Sequence, residues 1–135
     1  MRVVLDTNVL LSALIIRDSV PDRILQAWLE GRFELISHDL QLEELSRVSR
    51  HEKIRKLVKA FEIGQIINQL RALAAFPDRL PAIDRSPDPM DNYLLAIAEA
   101  AAADYLVSGD KNGLLALGKH GKTAIVSPRS FLEIL

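Results

Sequence analysis

Short apolar runs alternate along the chain with longer stretches in which apolar residues recur at helical spacing. The run Val3-Val4-Leu5 comes first, and a second short run ends at Ile36. Between them, apolar residues at every third or fourth position predict helices. This alternation of strands and helices favours a parallel sheet with helices on both faces. The predicted strands are 2–5, 33–36, 80–83, 104–108 and 123–126.

The predicted helices lie between and after these strands. One helix follows Asp6, and another follows Pro21. The stretch 39–76 is expected to contain two or three helices, with breaks near His51 and Gly64. The remaining helices are predicted at 89–103, which is rich in alanine, at 114–117 and at 128–134.

The composition of the strands predicts their order in the sheet. Pro81 lacks a backbone N–H, so the third predicted strand fits only an edge. The first and fourth strands are the most apolar and belong in the centre. The order 3-2-1-4-5 satisfies both conditions in a three-layer α/β/α, Rossmann-like fold with a central parallel sheet of about five strands. It puts Asp6 and Asp110 at one crevice, where the strand order reverses.

Length and composition limit the class of protein. A chain of 135 residues, with 49% hydrophobic and 26% charged residues, fits a single globular domain spanning 1–135. It contains no cysteine, which excludes disulfides and thiolate metal sites and is compatible with the cytoplasm, the expected location. No apolar run approaches the roughly 18 residues of a membrane span.

Four acidic residues from distant segments are the main candidates for chemistry. Asp6 and Asp110 follow the first and fourth strands, whereas Glu44 and Asp91 lie in helical contexts. Each has an ordinary explanation when taken alone: Asp6 and Asp110 as helix caps, Glu44 as a solvated residue, and Asp91 as an acid that complements the helix dipole. The dipole is also expected to keep Asp91 ionised, as a metal ligand must be. Glu43 is adjacent to Glu44, and the flanking leucines do not decide which of the two faces inward.

The combination of acids points to a cation. Two carboxylates about 5 Å apart repel by roughly 3 kcal/mol at an effective dielectric near 20. A cluster of four therefore requires a hard ion such as Mg²⁺ or Mn²⁺, which prefers oxygen ligands. Such an ion activates water and stabilises charge on a phosphoryl group. The three histidines share no metal-ligand spacing, and the chain has no P-loop.

Basic residues crowd the middle of the chain although the net charge is only −1. The stretch is either a solvated helix face or a contact surface for a phosphate backbone. Its members are Arg47, Arg50, Lys53, Arg55, Lys56 and Lys59.

The ordered set of motifs resembles the PIN-domain family over essentially the whole chain. The segments are VVLDTNVL at 3–10, LEELSRV at 42–48, DPMDN at 88–92 and VSGDK at 107–111. The chain looks most like the bacterial PIN proteins grouped with VapC-type toxins of toxin–antitoxin pairs. No single motif is specific to the family, but their combination in this order is.

The resemblance implies a metal-dependent ribonuclease with an acidic quartet. Asp6, Glu44, Asp91 and Asp110 match the four family acids in order. It also implies a homodimer and an antitoxin that covers the acidic groove. The polar residues Thr7, Asn8 and Ser108 match those that accompany the acids.

One position departs from the family pattern. Relatives often carry a further acid two positions beyond the last one, where this chain has Asn112. Asp88 is an alternative acid for the outer shell. Mechanisms with one metal ion and with two therefore both stay open.

The leading hypothesis is a Mg²⁺- or Mn²⁺-dependent endoribonuclease that leaves a 5′-phosphate. One rival is a phosphatase of the haloacid dehalogenase kind, although that chemistry needs an acid where Asn8 stands. The other is a PIN-like binding module that has lost catalysis, which Asn112 keeps open. The candidates for contact with RNA phosphates are Arg47, Arg50, Arg85 and Lys111.

Overall fold

Five strands form a central sheet in the order β2-β1-β3-β5-β4 in the computed structural model, which describes all residues 1–135. The strands are β1 (Arg2–Leu5), β2 (Glu34–Ile36), β3 (Tyr105–Val107), β4 (Lys119–His120) and β5 (Thr123–Val126). The β2-β1-β3-β5 strands pair in parallel, and β4 pairs with β5 in the antiparallel sense. The order expected for the first, second, fourth and fifth predicted strands is therefore confirmed.

Helices cover both faces of the sheet, as the three-layer prediction requires. They are α1 (Thr7–Ile15), α2 (Val20–Leu29), α3 (Asp39–Ser49), α4 (Glu52–Arg55), α5 (Ala60–Leu73), α6 (Asn92–Ala100), α7 (Leu114–Leu117) and α8 (Pro128–Ile134), with a 3₁₀ helix at Pro89–Asp91. None of these helices has the length and apolar character that crossing a membrane demands.

Two hydrophobic clusters fill the spaces on either side of the sheet. Val3 and Leu5 point into the larger cluster with residues of α1, α2, α3, α5 and α8. Val4 points the other way, into a cluster formed mainly by α6. The alternation of side chains along β1 thus anchors both layers of helices on one central strand.

The strand predicted at 80–83 does not form. The free edge of β2 is occupied instead by Ala75, whose N–H donates to the Leu35 carbonyl and whose carbonyl accepts from the Ser37 N–H, both at 2.9 Å. Ala75 follows α5 closely and satisfies these edge groups before the chain reaches Pro81, which has no N–H to contribute. The sheet still has five strands because Lys119 and His120 form the short strand β4, which the sequence did not predict.

The long helical stretch divides into α3, α4 and α5. The break near His51 is confirmed, but the one expected at Gly64 is wrong because Gly64 lies inside α5. The second break falls at 56–59 instead. There the Glu62 side chain accepts a hydrogen bond from the Lys59 N–H at 3.2 Å, which fixes the start of α5.

A buried glutamine fixes α3 against the end of β1. Gln41 is 1% exposed, and its Nε2 donates to the Leu5 carbonyl at 2.6 Å. Its Oε1 accepts from the Ser37 hydroxyl at 2.7 Å. Glu44 follows Gln41 by three residues on the same helix, so this buried contact sets the position of Glu44 relative to the tip of β1.

Candidate active site

Asp6 lies at the centre of the candidate site, at the junction of β1 and α1. Its backbone N–H donates to the Val107 carbonyl at 2.9 Å, which places the ends of β1 and β3 side by side. The side chain is 5% exposed and accepts from the Ser108 hydroxyl at 2.9 Å and the Asn8 N–H at 3.3 Å. Burial raises the pKa of Asp6, and the nearby charges of Glu44 and Asp110 raise it further, against these two hydrogen bonds.

Asp110 lies beside Asp6, in the loop after β3. The Ser108 hydroxyl accepts from the Asp110 N–H at 3.2 Å while it donates to Asp6. Asp110 Oδ1 accepts from the N–H groups of Asn112 at 3.2 Å and Gly113 at 3.1 Å. The ends of β1 and β3 thus bring Asp6 and Asp110 together through their common neighbour, Ser108.

Gly113 leaves room for the Asp110 carboxylate because it has no side chain. A Cβ built on Gly113 would lie 2.1 Å from Asp110 Oδ2, well inside contact distance. At Gly109 nothing lies within 4 Å of such a Cβ. A side chain at position 113 would therefore displace the Asp110 carboxylate, whereas a side chain at position 109 would not.

Asp91 ends the 3₁₀ helix that leads into α6. The cap of that helix is Asp88, whose side chain accepts from the Met90 N–H at 3.0 Å. Burial and, to a smaller extent, the charges of Asp6, Asp88, Glu44 and Asp110 together raise the pKa of Asp91 to about 7. Burial and like charges oppose the expected effect of the helix dipole on Asp91, so in the metal-free protein this acid is only partly ionised at neutral pH.

The structure decides which of the two adjacent glutamates faces the other acids. The Glu44 side chain is 18% exposed, and its Oε1 accepts from the Tyr93 hydroxyl at 2.6 Å. Glu43 is exposed and makes no hydrogen bond or ion pair through its side chain. Glu44 also contributes to the raised pKa values of Asp6 and Asp91, so it belongs to the same electrostatic cluster.

Tyr93 is a site residue that the sequence did not reveal. Thr7 Oγ1 lies 3.0 Å from the Tyr93 hydroxyl. Because the one phenolic hydrogen goes to Glu44, Thr7 is the donor in this contact. Gln41 Nε2 lies 3.4 Å from Thr7 Oγ1, which extends the network back to β1. Burial and the bond to Glu44 both raise the pKa of Tyr93, so it stays a donor.

The four acids offer only oxygen donors, as hard divalent ions prefer. No three acidic or histidine side chains of the protein are close enough to hold one ion together. Mg²⁺ is commonly held by one or two carboxylates with water completing its shell. The donor chemistry and the mutual influence on pKa therefore fit such an ion, with Asp6, Glu44, Asp91 and Asp110 as the residues available to hold it.

The predicted phosphate-contacting cations have different surroundings. Arg47 Nη2 lies 3.7 Å from Glu44 Oε2, and Lys111 is exposed next to Asp110. Arg85 is engaged elsewhere, since its Nη1 lies 2.6 Å from His120 Nδ1 and 3.3 Å from the Lys119 carbonyl. Arg50 Nε donates to the Ser46 carbonyl at 3.2 Å. Only Arg47 and Lys111 are thus immediate neighbours of an acid of the cluster.

The raised pKa of Asp91 predicts how the stability of the metal-free protein depends on pH. The folded protein binds a proton at Asp91 more tightly than the unfolded chain, whose ordinary value is 3.8. This contribution to stability is complete below pH 3.8 and is lost as the pH rises through about 7. In a chelating buffer, we expect the melting temperature of wild type to decline across this window more than that of Asp91→Asn.

The control for this comparison is Asp78→Asn, which alters an exposed acid without a hydrogen bond. It should decline with pH as wild type does. Melting temperatures of wild type and Asp91→Asn that run parallel over the whole window would contradict the assignment.

Comparison with known proteins identifies the family. The family model described as PIN domain matches residues 2–112, most of the chain. A solved structure of FitAcB from Neisseria gonorrhoeae is similar to this chain at 16% identity, with a TM-score of 0.49, covering 94% of this chain and 98% of that one. No curated protein matches the chain. On the strength of the family match, the chain belongs to the PIN-domain family.

Proposed function

We propose that the protein is a divalent-metal-dependent endoribonuclease and the toxin component of a toxin–antitoxin pair. The observation that carries the proposal is the electrostatic cluster of Asp6, Glu44, Asp91 and Asp110, in which burial and the charges of neighbouring acids together raise the pKa of Asp91 to about 7. PIN domains are generally nucleases that use divalent metals. The resemblance to VapC-type toxins supports RNA as the substrate and adds a cognate antitoxin and a homodimer to the proposal.

The acids have distinct supports within this proposed site. Ser108 orients Asp6, Tyr93 holds one oxygen of Glu44, and the loop amides after Asp110 hold its Oδ1. A Mg²⁺ or Mn²⁺ ion, when bound, supplies the positive charge that polarises the phosphate and lowers the pKa of an attacking water. Because the pKa of Asp91 is about 7, little free energy is needed at neutral pH to replace its proton with a cation.

The neighbours of the acids complete the proposal. Asp88 raises the pKa of Asp91, which supports an outer-shell role for this acid. Asn112 contributes its backbone N–H to Asp110. Arg47 and Lys111 are the cations placed to contact RNA phosphates, with Arg50 farther along α3. Arg85 would first have to leave His120.

A PIN-like binding module without catalysis is the second candidate. It is favoured by Asn112, which replaces a further family acid, and by the lack of three acids close enough to ligate one ion. Stabilisation by Mn²⁺ in a thermal-shift titration, without cleavage of any RNA, would support this module. The phosphatase alternative is set aside because the chain belongs to the PIN-domain family and has Asn8 where that chemistry needs an acid.

Replacing a carboxylate of the cluster should abolish cleavage while the fold survives. We expect Asp6→Asn and Asp91→Asn to lower the cleavage rate by more than roughly 100-fold, since even outer-shell partners of metal ligands contribute 10–100-fold. The measurement is Mg²⁺- or Mn²⁺-dependent cleavage of labelled single-stranded RNA, with and without a chelator.

Circular dichroism spectra and melting temperatures would show that the variants fold. Asp78→Asn serves again as the exposed-acid control and should cleave as wild type does. Unchanged turnover in purified Asp6→Asn or Asp91→Asn would refute the assignment of that acid.

The two loop glycines provide a matched pair. Gly113→Ala forces the Asp110 carboxylate to move, because the new Cβ would lie 2.1 Å from Oδ2, whereas Gly109→Ala meets no atom within 4 Å. We expect Gly113→Ala to weaken Mn²⁺ binding and slow RNA cleavage, with little change in melting temperature, since the displaced group is the end of a mobile side chain. Equal activity in the two variants would show that the Asp110 orientation does not matter.

A further inference from the structure

A cleft of about 390 Å³ opens beside the acidic cluster, between α3 and the 3₁₀ helix. Leu40 and Arg47 line one wall, Met90 lines the other, and Tyr93 contributes from α6. We call it the Leu40–Met90 cleft. Glu44, whose carboxylate belongs to the acidic cluster, also lines it, so the cleft is continuous with the proposed metal site. Its volume lies within the range of roughly 300–1,000 Å³ that is usual for ligand pockets.

The walls of this cleft present apolar side chains to solvent. Leu40 is 42% exposed and Met90 is 62% exposed, and each comes from a different element. Together they give the cleft apolar walls next to the charged side chains of its rim. Methionine is suited to such a wall because its thioether is flexible and makes favourable contacts with aromatic rings.

The rim of the cleft supplies both a hydrogen-bond acceptor and hydrogen-bond donors. Glu43 is exposed and its side chain has no partner in the protein, so it is free to accept from an amino group. Arg47 is 54% exposed and contacts Glu44 at the long distance of 3.7 Å, which leaves guanidinium N–H groups available. Apolar walls with a donor and an acceptor at the rim suit a flat heteroaromatic ring, since unpaired bases are recognised by stacking and by hydrogen bonds to their edges.

We propose that the Leu40–Met90 cleft binds one unpaired nucleobase of an RNA strand whose phosphodiester lies at the acidic cluster. The inference rests on the proposed function and names a base-binding subsite of that same site. Continuity through Glu44 supports the inference: the ribose links each base to its phosphate, so a base next to the cleaved phosphodiester must lie close to the acids. If the cleft instead receives a side chain of a protein partner, removal of a base from the RNA should not change the affinity through this cleft.

Abasic scanning of RNA binding tests the subsite without relying on cleavage. The probe is a short fluorescently labelled single-stranded RNA, with derivatives that each lack one base. Affinities are measured by anisotropy for wild type in EDTA and for Asp6→Asn in Mg²⁺. At one position, loss of the base should weaken binding by about fivefold or more, roughly 1 kcal/mol.

The variants Leu40→Ser and Met90→Ser should remove that position-specific penalty while leaving the penalties at other positions unchanged. Leu73→Ser and Ile16→Ser, at residues that are 59% and 62% exposed and remote in sequence from the cleft, are matched controls that should keep it. Melting temperatures verify that all four variants fold, which is expected because the altered side chains are exposed.

The outcomes separate the subsite from the function. RNA binding in which the penalty persists in both cleft variants, or in which no position shows one, overturns the subsite and leaves the nuclease proposal standing. The absence of RNA binding in both backgrounds overturns the subsite and counts against RNA as the substrate. A penalty that the controls also lose likewise overturns the subsite, because the effect is then not local.

Discussion

Repulsion between carboxylates at the ends of neighbouring parallel strands is the constraint on which the rest of this structure depends. Asp6 is almost completely buried at the end of β1, within the electrostatic reach of Glu44 and Asp110. Hydrogen bonds from Ser108 and Asn8 only partly offset the cost of its burial. Burial, followed by the charges of the neighbouring acids, likewise raises the pKa of Asp91 to about 7. A fold that keeps such a group of acids together stores unfavourable energy that a cation would relieve.

The strand arrangement could be predicted because it follows from simple physical preferences. Apolar strands lie in the centre of a parallel sheet, and the order of β1 and β3 then brings Asp6 and Asp110 to one edge. The strand at 80–83 failed because local propensity cannot show that Ala75 has already occupied the edge of β2. That outcome depends on where α5 ends in space, which no short-range pattern specifies.

Side-chain partners were harder to predict than strands. Glu43 and Glu44 are chemically identical neighbours, and the choice between them depends on Tyr93, a residue 49 positions away. Tyr93 itself looked like an ordinary residue of an apolar helix, and its donor role becomes visible only when Thr7 and Glu44 lie on either side of its hydroxyl. The raised pKa of Asp91 could not be predicted either, because burial and the sum of four charges are properties of the folded arrangement.

The central claim is that a divalent cation neutralises this cluster, and proton release on metal binding tests it most directly. Calorimetric titration with Mn²⁺, repeated in buffers of different ionisation enthalpy, counts the protons released for each ion. With the pKa of Asp91 near 7, we predict release of about one proton or more at about pH 6 and markedly less at about pH 8. Absence of Mn²⁺ binding, or binding with equal proton release at both pH values, would contradict the account.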